Sequence, residues 1–219
     1  MMISPESYYQ DLIKKTPEEV KKEIRQCRLY IRNLKTKMEA PAELHELCVH
    51  PSLDLQLKLA REYLVQAKKA YKDKELEYVP SFSEKKEIEF NENIPYITEL
   101  KFRSKIYPAG WKVSTCTVKD DNVYIEVKGE NIAPPKNFND KYYTLSKEDF
   151  CKKITELYMC EWKKEYNITK PYKVELEKME EWYLDITYSN EYPSRHYKGN
   201  GCSPYNMEEF LKLIRIYKL

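Results

Sequence analysis

Apolar residues recur along the first third of the chain in steps of four and three. Val20, Ile24, Cys27, Ile31, Leu34 and Met38 keep this rhythm, which lines one side of a helix because such steps return to nearly the same angle at about 3.6 residues per turn. Thr16 supplies an N-cap, Pro17 suits the first helical position, and Glu18 and Glu19 suit the positive end of a helix. Ala40-Pro41 ends the helix. After a loop containing Pro51, the rhythm returns at Leu53, Leu57, Ala60, Leu64, Ala67 and Tyr71. Two such seams on a short connection predict an antiparallel helical hairpin, with Ala60 and Ala67 permitting close approach. Pro5 to Leu12 predicts a short helix before it, carrying Tyr8 and Tyr9.

Beyond Tyr78-Val79-Pro80 the pattern changes. Ser81 to Asn93 is polar and acidic and reads as a linker or a frayed helix. The period then becomes two. Leu100, Phe102 and Ile106 mark one strand, Trp111, Val113, Thr115 and Thr117 a second, and Val123, Ile125 and Val127 a third, with turns at Pro108-Ala109-Gly110 and Asp120-Asp121-Asn122. A loop holding Pro134-Pro135 follows. Ser146 and Asp149 open a helix with Phe150, Ile154, Leu157, Tyr158 and Trp162 on one face. Val174 and Leu176 suggest a strand, and Lys178 to Glu181 a turn. Trp182, Leu184, Ile186 and Tyr188 make the next strand, and Asn206 and Glu209 cap a last helix bearing Phe210, Leu211, Ile214 and Tyr217. The expected class is α+β: an N-terminal antiparallel helical hairpin (1–80), a linker (81–96), then an antiparallel sheet with two helices in the order β-β-β-α-β-β-α (97–219). Hairpin and sheet form either one core or two.

Composition removes whole classes. The 219 residues include only four glycines, at 110, 129, 199 and 201, so neither a dinucleotide loop nor a phosphate-binding GxxxxGK[ST] loop exists. No apolar run reaches the length of a membrane span, and the opening residues have neither the basic start nor the apolar core of a signal peptide. A cytoplasmic location without membrane association is expected. The net charge of +2 gives no global drive toward polyanions. Six scattered cysteines without a CxxC pair could form three bridges in a secreted chain, but without a signal peptide they read as free buried thiols in a reducing cytosol.

Local features carry what chemistry there is. Lys21, Arg25, Arg28, Arg32 and Lys35 form a basic stripe on the first long helix, and no acidic residue occurs from Ile24 to Met38. Such a stripe meets phosphates or an acidic protein, unless it is simply a solvated face whose aliphatic stems cover the seam. Lys58, Arg61, Lys68 and Lys72 share one face of the second helix. His45, Cys48 and His50 are zinc-type ligands, but a tetrahedral site needs a fourth that is not apparent nearby, so no metal or other cofactor is expected. His196, Tyr197, Gly199, Asn200, Gly201 and Cys202 form a loop of interest: a Cys–His dyad is possible by residue type, while the glycines suit a tight turn. Asp185 projects from a strand beside Tyr183 and Thr187 without an identifiable partner. Twenty tyrosines suit interfaces and stacking platforms, or a half-buried sheet.

Ser4-Pro5-Glu6-Ser7-Tyr8-Tyr9, the Glu23-Ile24-Arg25 helix ending at Met38-Glu39, Asn93-Ile94-Pro95, Glu161-Trp162, the Trp182 to Asn190 strand, Tyr197-Lys198-Gly199-Asn200 and Pro204-Tyr205-Asn206 together resemble an uncharacterised family of proteins from gut Firmicutes. The resemblance spans most of the chain. It implies an accessory protein of phages or mobile elements with no assigned activity. The loop here reads Gly-Asn-Gly-Cys-Ser-Pro, where the family has a shorter Gly-x-Asn-x-Tyr-Pro form, and no functional residue is carried over.

The leading expectation is a non-enzymatic protein-interaction module acting on a host complex such as a defence system, or associating with itself through its helical seams. Nucleic-acid binding through the basic stripe is the alternative. An enzyme with an unrecognised site near His196 and Cys202 is the third.

Overall fold

A computed structural model describes residues 3–39, 51–106, 110–129, 143–167 and 181–216. The chain is α+β and divides into two compact units, Met1–Ser81 and Phe82–Leu219.

The first unit holds helices α1 (Pro5–Ile13), α2 (Pro17–Met38) and α3 (Leu53–Lys72). Thr16 caps α2 as expected, in a full capping box: its hydroxyl accepts from the Glu19 amide while the Glu19 carboxylate accepts from the Thr16 amide. That exchange holds the Glu19 carboxyl below its ordinary pKa. The seams are buried against one another, with Val20, Ile24, Ile31 and Leu34 on α2 and Leu57, Ala60 and Ala67 on α3. Val20 and Ile24 share a cluster with Ala67 and Ala70, whereas the Tyr30 hydroxyl reaches Gln56 at 2.7 Å. Early α2 therefore meets late α3, and the pair is antiparallel. Cys27, Met38, Leu53, Leu64 and Tyr71 of the same seams are half-buried.

The second unit opens where a linker is expected. Residues 82–93 form α4 (Phe82–Asn93), followed by a 3-10 turn at Ile94–Tyr96. Its sequence is polar because only Phe90 and Ile94 reach the core. Then come β1 (Ile97–Ile106), β2 (Gly110–Lys119), β3 (Asn122–Gly129), β4 (Tyr143–Ser146), α5 (Lys147–Glu156), β5 (Glu165–Asn167), β6 (Glu181–Tyr188), β7 (Arg195–Asn200) and α6 (Met207–Leu213). The sheet order is β4-β3-β2-β1-β6-β7-β5. The pairing of β5 with β7 is parallel, which makes the sheet mixed rather than antiparallel. The short strands β4 and β5 and the loop-like β7 are absent from the expected order. The expected strand at Val174 and Leu176 and the loop at Pro134-Pro135 lie outside the described residues, as do His45, Cys48 and His50.

One side of this sheet is the core, where Phe102 stacks on Trp182 and Trp162 meets Trp182, Tyr197 and Phe210 edge-on. Register decides which side of β2 joins it. Leu100 and Phe102 pair with Cys116 and Ser114, so these turn inward, and Trp111, Val113, Thr115 and Thr117 line the outer face instead. The indole of Trp111 is 42 % exposed. Burial pushes the Cys116 thiol up to about 12.

Helix ends also depart from expectation. α5 stops at Glu156, and Tyr158 adopts a left-handed φ of 50° that turns the chain so that Trp162 enters the core from a 3-10 turn. Asn206 does not cap α6 with its side chain. It is buried, accepting from the Trp162 indole at 3.0 Å and donating to the Leu157 carbonyl.

Candidate functional site

The helical unit gathers positive charge on one side. On α2 the row Lys21, Arg25, Arg28, Arg32 and Lys35 lies roughly 100° past the seam, at about 100° per residue. On α3 the row Lys58, Arg61, Lys68 and Lys72 lies about as far past its own seam by the same measure. Because the helices are antiparallel with seams facing, equal rotations in chain direction point both rows to the same side. Lys21, Arg25, Arg32, Lys58 and Lys72 are exposed there. The carboxylates sharing these rows, Glu39 and Asp54, both sit at the end of the hairpin near the connection.

The other side is taken by α1. The Tyr63 hydroxyl donates to the Ile3 carbonyl at 2.6 Å, the Tyr8 ring lies 4.8 Å from that of Tyr63, and the Tyr8 hydroxyl reaches Glu23 at 3.3 Å and Cys27 at 3.6 Å. Burial first, and then Cys27 and Glu23, raise the Tyr8 pKa. On the basic side the segment after α3 covers a part: the Arg28 guanidinium donates to Ser81 at 2.6 Å, and the Lys68 ammonium stands 5.1 Å from the Tyr78 ring centre. Arg28 is thus a structural contact as well as a member of the row. Arg25 and Arg32 are the exposed probes of this surface.

The expected loop at His196 is the strand β7. His196, Lys198 and Asn200 face outward, and Tyr197 and Gly199 face the core. Gly199 is required by close approach: a Cβ there would stand 2.2 Å from the Trp182 indole nitrogen, which donates to the Cys202 carbonyl at 2.8 Å. Gly201 needs its positive φ of 66°, as a tight turn does. Cys202 packs against the core cluster while His196 faces outward, so the strand does not assemble a Cys–His dyad. His196 instead places Nδ1 2.7 Å from Asp185 on the neighbouring strand, and Arg103 reaches the other oxygen of Asp185 at 3.3 Å. Sequence reading missed this pair because it exists only once β6 and β7 align Asp185 with His196.

A cleft of about 480 Å³ lies on the core side of the sheet, floored by Ile125, Leu145, Leu157 and Leu213 and edged by charged side chains of α5 and α6. His196 takes no part in its lining. Among the described residues, no group of three His, Cys, Asp or Glu side chains could hold a metal ion, and no helix is long and apolar enough to cross a membrane. In comparisons with known proteins, the chain matches no family model, no curated protein and no solved structure.

Proposed function

We propose that this chain is a nucleic-acid-binding protein that takes up phosphates on the basic side of its helical unit. One observation carries the reading: two cationic rows, on α2 and α3, fall on the same side of an antiparallel pair. The α2 row extends about 21 Å at roughly 1.5 Å per residue, enough to follow a phosphate backbone over several nucleotides. The chain's small net charge does not oppose this, since phosphate contact depends on local cations and on counterion release.

The test is anisotropy of a labelled duplex across a salt series. The logarithm of affinity should fall linearly with the logarithm of salt, at about 0.9 per phosphate neutralised. Arg25→Glu with Arg32→Glu should weaken binding at least tenfold and flatten that slope, because both side chains are exposed. Weak binding that is equal at every salt concentration refutes the reading.

An acidic protein partner is the second reading. It is favoured by Leu29 on α2 and Val65 on α3, which are 48 % and 62 % exposed and would serve no purpose against phosphates. It also suits the resemblance to mobile-element proteins, whose targets would be host complexes. A partner captured from cells that survives nuclease treatment supports it.

A further inference from the structure

The outer face of the sheet carries a second, chemically different surface. Trp111 on β2 and Tyr183 on β6 lie across β1 from one another, with ring centres 6.3 Å apart and planes 31° apart. Two cations of the intervening strand attend them. The Lys105 ammonium is 5.9 Å from the Trp111 ring centre, and the Arg103 guanidinium is 5.5 Å from that of Tyr183. The neighbouring positions in these two rows place Lys128 beside Val113 and Lys198 beside Tyr183. Three of these cations are paired, Arg103 with Asp185 at 3.3 Å, Lys128 with Glu126 at 2.9 Å and Lys198 with Glu165 at 3.1 Å, and Glu181 accepts from the Tyr183 hydroxyl at 2.5 Å. The two rings therefore sit with Lys105 on the partly exposed outer face of a hydrogen-bonded sheet.

We infer that this face is a stacking platform for single-stranded nucleic acid. Bases offer π-faces to Trp111 and Tyr183, and Lys105 meets an adjoining phosphate. The chemistry matches the occupant on both counts. A duplex hides its base faces and could use only the cations, whereas an unpaired strand uses rings and cations together. This inference rests on the reading of the chain as a nucleic-acid binder and adds the class of strand.

Trp111 is itself the reporter. Trp162 and Trp182 are 7 % and 1 % exposed, so quenching by a ligand in contact reports on Trp111. Titrating the full chain with an oligothymidylate should quench tryptophan fluorescence, and a duplex of equal length should not. Trp111→Ala should abolish the quench and weaken oligothymidylate binding about ten- to a hundredfold. Trp111→Phe should retain most of the affinity. Stacking releases no counterions, so the salt slope should stay unchanged in Trp111→Ala, whereas Arg25→Glu with Arg32→Glu should lower it. A near-UV spectrum and a urea midpoint confirm that each variant is folded. If the oligonucleotide binds with normal salt dependence but without quenching, and Trp111→Ala binds as well as the parent, the platform is refuted while the basic side stands. Quenching that persists while the Arg25 and Arg32 changes leave duplex affinity untouched refutes the basic side and upholds the platform. A captured protein that Trp111→Ala releases, with no response to oligothymidylate, refutes the platform in favour of a protein interface.

Discussion

The helical unit and the sheet unit solve the same problem differently. In the first, small and aliphatic seam residues bury each other between two long helices, and hydroxyls of Tyr8, Tyr9 and Tyr63 tie the helix ends to Glu23, Asp73 and the Ile3 carbonyl. Its interactions are periodic, and the rim is polar. In the second, a few large rings do most of the burying, and the indole N–H groups of Trp162 and Trp182 each donate to one specific partner. Trp182 needs Gly199 for space and Cys202 for its hydrogen bond. Trp162 needs Asn206. The difference teaches that the helical unit should tolerate change by degrees, while the sheet unit depends on a few places where nothing else fits.

Substitutions can break or sharpen that contrast. Trp182→Ala should produce the largest loss, about 4 kcal/mol from cavity and lost contacts, read as a lowered urea midpoint by near-UV spectroscopy. Gly199→Ala should lose about 3 kcal/mol although it adds one methyl group, because the indole and the Cys202 carbonyl both stand in its way. A loss below about 0.5 kcal/mol, the scatter of ordinary surface changes, would show that the sheet core yields around Gly199. Asn206→Ala should lose about 2 kcal/mol, since it strands the Trp162 indole N–H and the Leu157 carbonyl in the core.

The helical unit should respond more gently at its termini. Thr16→Ala removes a cap and should lose about 1 kcal/mol of stability, read from helical ellipticity in urea. Its pH dependence has a definite sign. Hydrogen bonds from Thr16 hold the Glu19 carboxyl below its ordinary value, so its stabilisation is present above the unfolded carboxylate pKa and lost as pH falls through the lower folded one. Thr16→Ala keeps the amide donor and removes only the hydroxyl's, so it should reduce that acid limb in part. The smallest effect is on reactivity. Cys116, with its thiol pushed up to about 12 by burial, should resist a thiol reagent until the sheet unit unfolds, while the half-buried Cys27 of the helical unit reacts earlier.

How much of this was legible follows from the range of the interactions. The α2 and α3 seams, the Thr16 cap and the Ser146 cap could be read directly, because each depends on residues within a turn or two. The basic stripe was equally plain, but the contact of Arg28 with Ser81 was not, since that partner lies far along the chain. α4 was legible only as a linker or a frayed helix, because Phe90 and, just past its end, Ile94 give too weak a period. β7 was hidden because Gly199 and Gly201 are turn residues by habit, and here one of them makes room for an indole.

The amino-acid sequence alone determined the α+β class, the helical hairpin with its facing seams and the sign of its charged rows, since periodicity and capping are local physics. Only the tertiary structure decided which side of β2 meets the core, that the β5–β7 pairing is parallel, that Asp185 finds His196, and that Trp111 stands in solvent beside Lys105. Those are consequences of strand register. A shift of one residue inverts every side chain on a strand, and register is set by partners far away along the chain.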